Sequence, residues 1–208
     1  MRPRILLIIV ALAGLACSDD GPAAAPDLAV DSAPPAPDMQ VPDLVPPAKY
    51  PFDISGMKWA NVPGGATVPP ASLFANKVVF VKCFQAWCPG CHSYGIPMAK
   101  LLMDKYKGNP NIVFVFLHTV FEGHSYNTFD KGLLSLTDGK TKIKNPLYAH
   151  EASKYSHQAT PFMKTYKTGG TPSFVIFRKD QTVAYSGIPR NGEQLHDWVN
   201  IIDPLLAK

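Results

Sequence analysis

Residues 82–92 read Lys82-Cys83-Phe84-Gln85-Ala86-Trp87-Cys88-Pro89-Gly90-Cys91-His92. The pattern is the end of a buried strand, a Trp-Cys-x-x-Cys turn and the start of a helix. At a helix N-terminus the unpaired N–H groups and the positive dipole end favour an anion, so a cysteine there ionises more readily than a free thiol. Cys88 takes that place. The two intervening residues keep Cys91 close enough to attack a mixed disulfide formed on Cys88, the arrangement reversible dithiol/disulfide exchange requires. Zinc sites also use Cys-x-x-Cys, but they draw on a second pair or on added histidine ligands. The other cysteines, Cys17 and Cys83, form no second pair.

Outward from that stretch, Lys77 to Phe84 is a nearly continuous apolar run with β-branched residues, as in a central parallel strand buried on both faces. After the cysteines, Met98, Leu101, Leu102 and Tyr106 recur at helical spacing until Gly108-Asn109-Pro110, with Pro97 expected to bend the helix. Ile112 to Val120 reads as a second buried strand, Phe121 to Thr128 as a polar loop, and Phe129 to Leu136 as a short helix. Ala149 to Tyr166 reads as helical or mixed, interrupted at Pro161. Gly169-Gly170-Thr171-Pro172 leads into a strand at Ser173 to Phe177, another at Val183 to Gly187, and an amphipathic helix from Glu193 to Leu206. Before the cysteines, Phe52, Ile54, Trp59 and Val62, broken by Gly64-Gly65, suggest a hairpin or an irregular N-terminal layer. The fold class is therefore α/β: a central mixed sheet flanked by helices.

The first 48 residues differ from the rest. Arg2 and Arg4 precede the apolar run Ile5 to Ala13, too short to span a bilayer, so residues 1–16 read as a secretory signal. Gly14-Leu15-Ala16-Cys17 is similar to a bacterial lipobox, with Cys17 as the lipid attachment point. The usual leucine position is Gly14, and plain cleavage after Ala16 is the alternative. Residues 17–48 are rich in Pro, Ala and Asp and lack aromatics, so they read as a disordered tether to a domain spanning 49–208. Charge divides the same way: of the 20 basic and 16 acidic residues, residues 49–208 hold 18 and 10. No basic-aromatic cluster points to nucleic acid.

Trp87-Cys88-Pro89-Gly90-Cys91 after a buried strand, with Gly170-Thr171-Pro172 before a late one, resembles the thioredoxin superfamily. Within it, the chain is most similar to the TlpA-like extracytoplasmic, membrane-tethered thiol-disulfide oxidoreductases, which carry an N-terminal hairpin and an insertion before the cis-proline loop. The resemblance implies that Cys88 is the nucleophile, Cys91 the resolving thiol, and Thr171-Pro172 a cis-proline loop offering backbone hydrogen bonds to an extended substrate. Trp87 would shield the pair. It also implies client proteins with cysteines or disulfides, an upstream thiol-disulfide electron carrier and a membrane reached through Cys17. No cofactor is implied, and a monomer is expected.

Departures from the pattern mark further candidates. Many thioredoxins place a buried Asp six residues before the nucleophile, where this chain has Lys82. An ammonium there would favour the thiolate, whereas the blander expectation is a lysine whose stem crosses the core and whose charge reaches water. The family proline five residues after the second cysteine is displaced by one, to Pro97. Cys83 is expected to be a buried small hydrophobe. Glu122 could supply the missing acid-base function. His92 reads as a solvent-facing helix residue, and His118 ends the second strand. Two other activities remain open: copper carriage by Cys88, Cys91 and His118, and thiol peroxidase chemistry, which wants a threonine where Gln85 stands.

Overall fold

A computed structural model describes residues 50–120, 128–138, 141–152, 160–190 and 192–207. The signal 1–16, Cys17, the tether 17–48, Glu122 and His124 in the polar loop, and His157 lie outside the described residues. The chain divides between Leu44 and Val45, and every described residue belongs to the second unit.

The central strand β2 (Val78–Phe84) is buried at every position, as its unbroken apolar run requires. It pairs in parallel with β3 (Ile112–Val120) and antiparallel with β5 (Ser173–Phe177). Beyond β3 comes the parallel β4 (Tyr148–Ala152), then the antiparallel edge strand β1 (Lys58–Ala60); β6 (Val183–Gly187) closes the other side against β5. The sheet order is β1-β4-β3-β2-β5-β6.

Alternate residues of β2 feed two cores, because successive side chains of a strand face opposite ways. Phe80 and Phe84 point to the layer formed by α1 (Ile96–Lys105), α2 (Phe129–Thr137) and α4 (Leu195–Ala207). Val79, Val81 and Cys83 point to the layer formed by the N-terminal segment and α3 (Pro161–Thr165). In the helical layer, Trp198 of α4 is edge-on to Phe174 at 4.5 Å and to Tyr185 at 5.1 Å, and donates its indole N–H to the Tyr94 hydroxyl.

Several details differ from the sequence reading. The N-terminal segment takes the irregular form: β1 pairs with β4 across the sheet, and no hairpin precedes β2 among the described residues. Residues 149–152, read as the start of a helical or mixed stretch, form β4 together with Tyr148, because the open edge of β3 offers them a complete hydrogen-bond ladder. Pro161 opens α3 instead of interrupting a helix, since the first turn needs no proline N–H. The next N–H, of Phe162, is taken by the Glu151 carboxylate at 3.1 and 3.2 Å. On α1, Met98, Leu102 and Tyr106 are buried as expected, but Leu101 is 48% exposed.

The displaced Pro97 also finds its reason. Residues Cys91–Gly95 form one π-helical turn, closed by the Ile96 N–H on the Cys91 carbonyl, and that turn absorbs the extra residue. Pro97 then falls in the first turn of α1, directly after the π-turn, where its missing N–H is best tolerated.

Trp198 is the largest wholly buried side chain of the helical layer, so Trp198→Ala should cost about 3–5 kcal/mol. Urea unfolding should show a lower midpoint at an unchanged slope.

Candidate active site

Where β2 ends, residues 85–88 turn and the helical backbone begins at residue 89. Cys88 stands where a helix cap would, and its sulfur accepts the Cys91 N–H at 3.2 Å. The Cys91 thiol approaches the same sulfur at 2.6 Å, and both cysteines are free. Across from them, the Thr171-Pro172 peptide is cis, and the Thr171 carbonyl oxygen lies 3.5 Å from the Cys88 sulfur. Gly90 lets this loop come close, for a Cβ there would already stand 3.3 Å from Pro172 Cδ. Trp87 is 46% exposed beside the pair.

These contacts divide the two thiols. The hydrogen bond from the Cys91 thiol holds the Cys88 pKa down, to about 5, with smaller help from Thr171, the Cys91 N–H and the Lys82 charge, against the effect of partial burial. Burial and the neighbouring Cys88 push Cys91 the other way, well above the usual thiol range. Cys88 is a thiolate at neutral pH and Cys91 its protonated donor. Cys83 is wholly buried in the opposite core, and burial raises its pKa to about 12, so it is the inert small hydrophobe expected.

Lys82 corrects the blander expectation. Its charge does not reach water: the residue is fully buried, its Nζ donates to the Cys83 carbonyl at 2.5 Å and lies 5.2 Å from the Phe174 ring centroid. Gly95, in the π-turn, makes the room. A Cβ there would stand 2.6 Å from Pro172 Cβ, 2.7 Å from Lys82 Cε and 2.8 Å from Lys82 Nζ. The lysine therefore runs beneath the active-site helix, directly behind the cis-proline.

A second group of polar side chains holds the turn from the other side. The Ala86 N–H donates to His118 Nε2 at 3.3 Å, so the His118 proton is on Nδ1, shared between His150 Nδ1 at 3.1 Å and the Tyr148 oxygen at 3.2 Å. Tyr148 in turn donates to the Phe129 carbonyl at 2.8 Å. Phe84 stacks on His118 with centroids 5.1 Å apart. Gly132 of α2 is required beside them, because any Cβ there would collide with His118 Nδ1 and the Tyr148 hydroxyl. On the solvent side, His92 is exposed as expected, yet its Nε2 bonds the Ala86 carbonyl at 2.7 Å. Both backbone polar groups of Ala86 are thus held by histidines.

The architecture has known counterparts. A solved thioredoxin-like superfamily protein superimposes with a TM-score of 0.57 at 23% sequence identity, over 73% of this chain and 92% of that one. The chain has a thioredoxin-like fold. A thiol-disulfide isomerase from Corynebacterium glutamicum matches with the same TM-score, identity and coverage. A Chlorobium tepidum protein assigned as a thiol:disulfide interchange protein DsbE matches with TM-score 0.52 at 15% identity, over 70% of this chain and 91% of that one. No protein-family model and no curated protein sequence matches the chain.

In this thioredoxin-like frame, Trp87, Cys88, Cys91, Thr171 and Pro172 come together at one end of the sheet, with Lys82 beneath them. His118 does not join the thiols as a copper ligand, since its Nε2 is committed to Ala86. Among the described residues, no three His, Cys, Asp or Glu side chains are grouped to hold a metal ion. Tyr148, His150, Gly95 and Gly132 escaped the sequence reading. The alternation Tyr148-x-His150 was the local sign for those two, hidden while Ala149 to Tyr166 read as helical or mixed.

Two measurements test this geometry. The rate of Cys88 alkylation in the reduced protein should be level through neutral pH and fall by half near pH 5, and Cys91→Ala should move that midpoint upward. Burial holds His118 and His150 at about 3 and 4, below their ordinary 6.5, so the unfolded chain binds more protons in between. Stability should therefore decline as pH falls below about 6.5, and His118→Gln should flatten that decline in urea midpoints.

Proposed function

We propose that this protein is an exported thiol-disulfide oxidoreductase that exchanges disulfides with client proteins through Cys88 and Cys91. The observation that carries the reading is the Cys88 sulfur, which accepts two hydrogen bonds from Cys91 and faces the Thr171 carbonyl of the cis-proline loop. A thiolate presented there attacks a client disulfide; the Thr171-Pro172 backbone aligns the client strand; Cys91, held 2.6 Å away, then displaces the client from Cys88. The thioredoxin-like fold and its thiol-disulfide counterparts support this chemistry.

Export and tethering rest on the sequence. The Arg2/Arg4 apolar signal, the lipobox-like Gly14-Leu15-Ala16-Cys17 and the Pro/Ala/Asp-rich residues 17–48 support a domain held outside the cytoplasm by a lipid on Cys17, recharged by an upstream thiol-disulfide carrier. Among the described residues no helix is long and apolar enough to cross a membrane.

Cys91→Ser should trap client proteins as mixed disulfides on Cys88, resolved by reductant on a gel. Cys88→Ser should trap none and should abolish catalysed reduction of a test disulfide protein. Equal trapping by both variants would refute the reading. Export is tested separately, by the position of the mature N-terminus and by lipid labelling at Cys17.

A further inference from the structure

Disulfide exchange as described uses the buried Lys82 only as a minor influence on the Cys88 thiolate. Lys82 lies under the pair in a slot that two other features open: Gly95, whose missing Cβ it occupies, and the π-turn that places that glycine over it. From the active-site turn and helix, Cys88 and Cys91 act on its ammonium; from its own strand, the Cys83 carbonyl accepts from it while the Cys83 thiol lies in the opposite core; from β5 comes the Phe174 ring, from the cis-proline loop Pro172, and Phe116 is its register neighbour on β3. No described carboxylate is among them. Burial lowers the lysine's pKa from its ordinary value, and of the three neighbouring sulfurs whose negative charge would oppose that, Cys88 is the one ionised at neutral pH.

A positive charge in this slot is therefore favourable only when a sulfur nearby is negative. We propose that Lys82 is a redox-linked proton carrier: a neutral amine while Cys88 and Cys91 form a disulfide, an ammonium once Cys88 is a thiolate. The proposal deepens the exchange reading and rests on it. Reducing the pair then adds two electrons and two protons. The S–S bond breaks, Cys88 keeps its electron pair as thiolate, Cys91 takes one proton and Lys82 the other.

Against a client disulfide the steps reverse. The Cys88 thiolate bonds to one client sulfur and the other leaves. Cys91 then bonds to Cys88 and expels the first. Both client sulfurs depart as thiols, carrying the protons of Cys91 and Lys82, and the lysine is left neutral. A buried carboxylate at this position would also take up a proton beside the thiolate, but would end neutral where the lysine ends charged.

The test uses the full chain and the pH dependence of the Cys88/Cys91 midpoint potential between about pH 6 and 8, where Cys88 is already ionised. Each proton taken up with two electrons changes the equilibrium constant roughly tenfold per pH unit. The wild-type protein should show a hundredfold change per unit and Lys82→Met a tenfold one, with Cys88 ionisation checked in both by thiolate absorbance. Because the substitution could impair folding, the Lys82 Cε NMR resonance of the wild-type protein is followed as well; it should move from its neutral to its ammonium position on reduction. A tenfold wild-type slope, a hundredfold slope retained in Lys82→Met with Cys88 ionised, or an unmoved resonance overturns the assignment while leaving exchange intact. A pair that forms no reversible disulfide overturns both.

Discussion

Two hydrogen bonds from Cys91 to one sulfur organise the active end of this molecule. The backbone N–H and the thiol of Cys91 both reach Cys88, and this sharing separates two chemically identical side chains into one with a lowered and one with a raised pKa. The rest of the local architecture serves that contact. The buried strand β2 delivers the chain to the sheet end, a helix begins where Cys88 needs N–H donors, and the cis-proline loop closes the opposite side. Ala86 is clamped between His118 and His92, so the turn carrying Trp87 and Cys88 is fixed by both backbone polar groups of one residue, on its two successive peptides.

Beneath this surface lies an arrangement with its own logic. A lysine whose head donates to a backbone carbonyl and stands near an aromatic ring, without a carboxylate, is an expensive thing to bury. The chain makes room for it with a glycine at Gly95 and an extra residue wound into a π-turn. These three features depend on each other: without the glycine the slot is filled, and the turn places the glycine over it. The return for that cost is a positive charge that responds to the chemistry of the neighbouring sulfurs, which a lysine reaching solvent could not do because water would screen it.

Much of this was legible from the chain alone, and for simple reasons. Strands β2 and β3 are long apolar runs, and burial on both faces leaves little else such runs can do. The Trp-Cys-x-x-Cys turn and the Thr171-Pro172 loop are local patterns, readable because their chemistry depends on spacing of a few residues. What failed was anything set by a distant partner. The residues of β4 carry no strong strand signal and become a strand through pairing with β3 and β1. Leu101 obeys helical spacing yet faces water, since spacing gives the stripe but not the width of the surface available to cover it.

By itself, then, the sequence determined the α/β class, the dithiol at a helix start and the change in character near residue 49, while the proline loop facing that dithiol was only what the thioredoxin resemblance implied. What it determined follows from neighbours along the chain. Only the tertiary structure decided the fate of Lys82, the pairing of His118 with His150 and Tyr148, and the need for Gly95 and Gly132. These depend on which side chains meet across strands and helices distant in sequence. The physical reason is the same throughout: whether a polar group is tolerated in a core depends on the donors, acceptors and space around it, and those are supplied by packing.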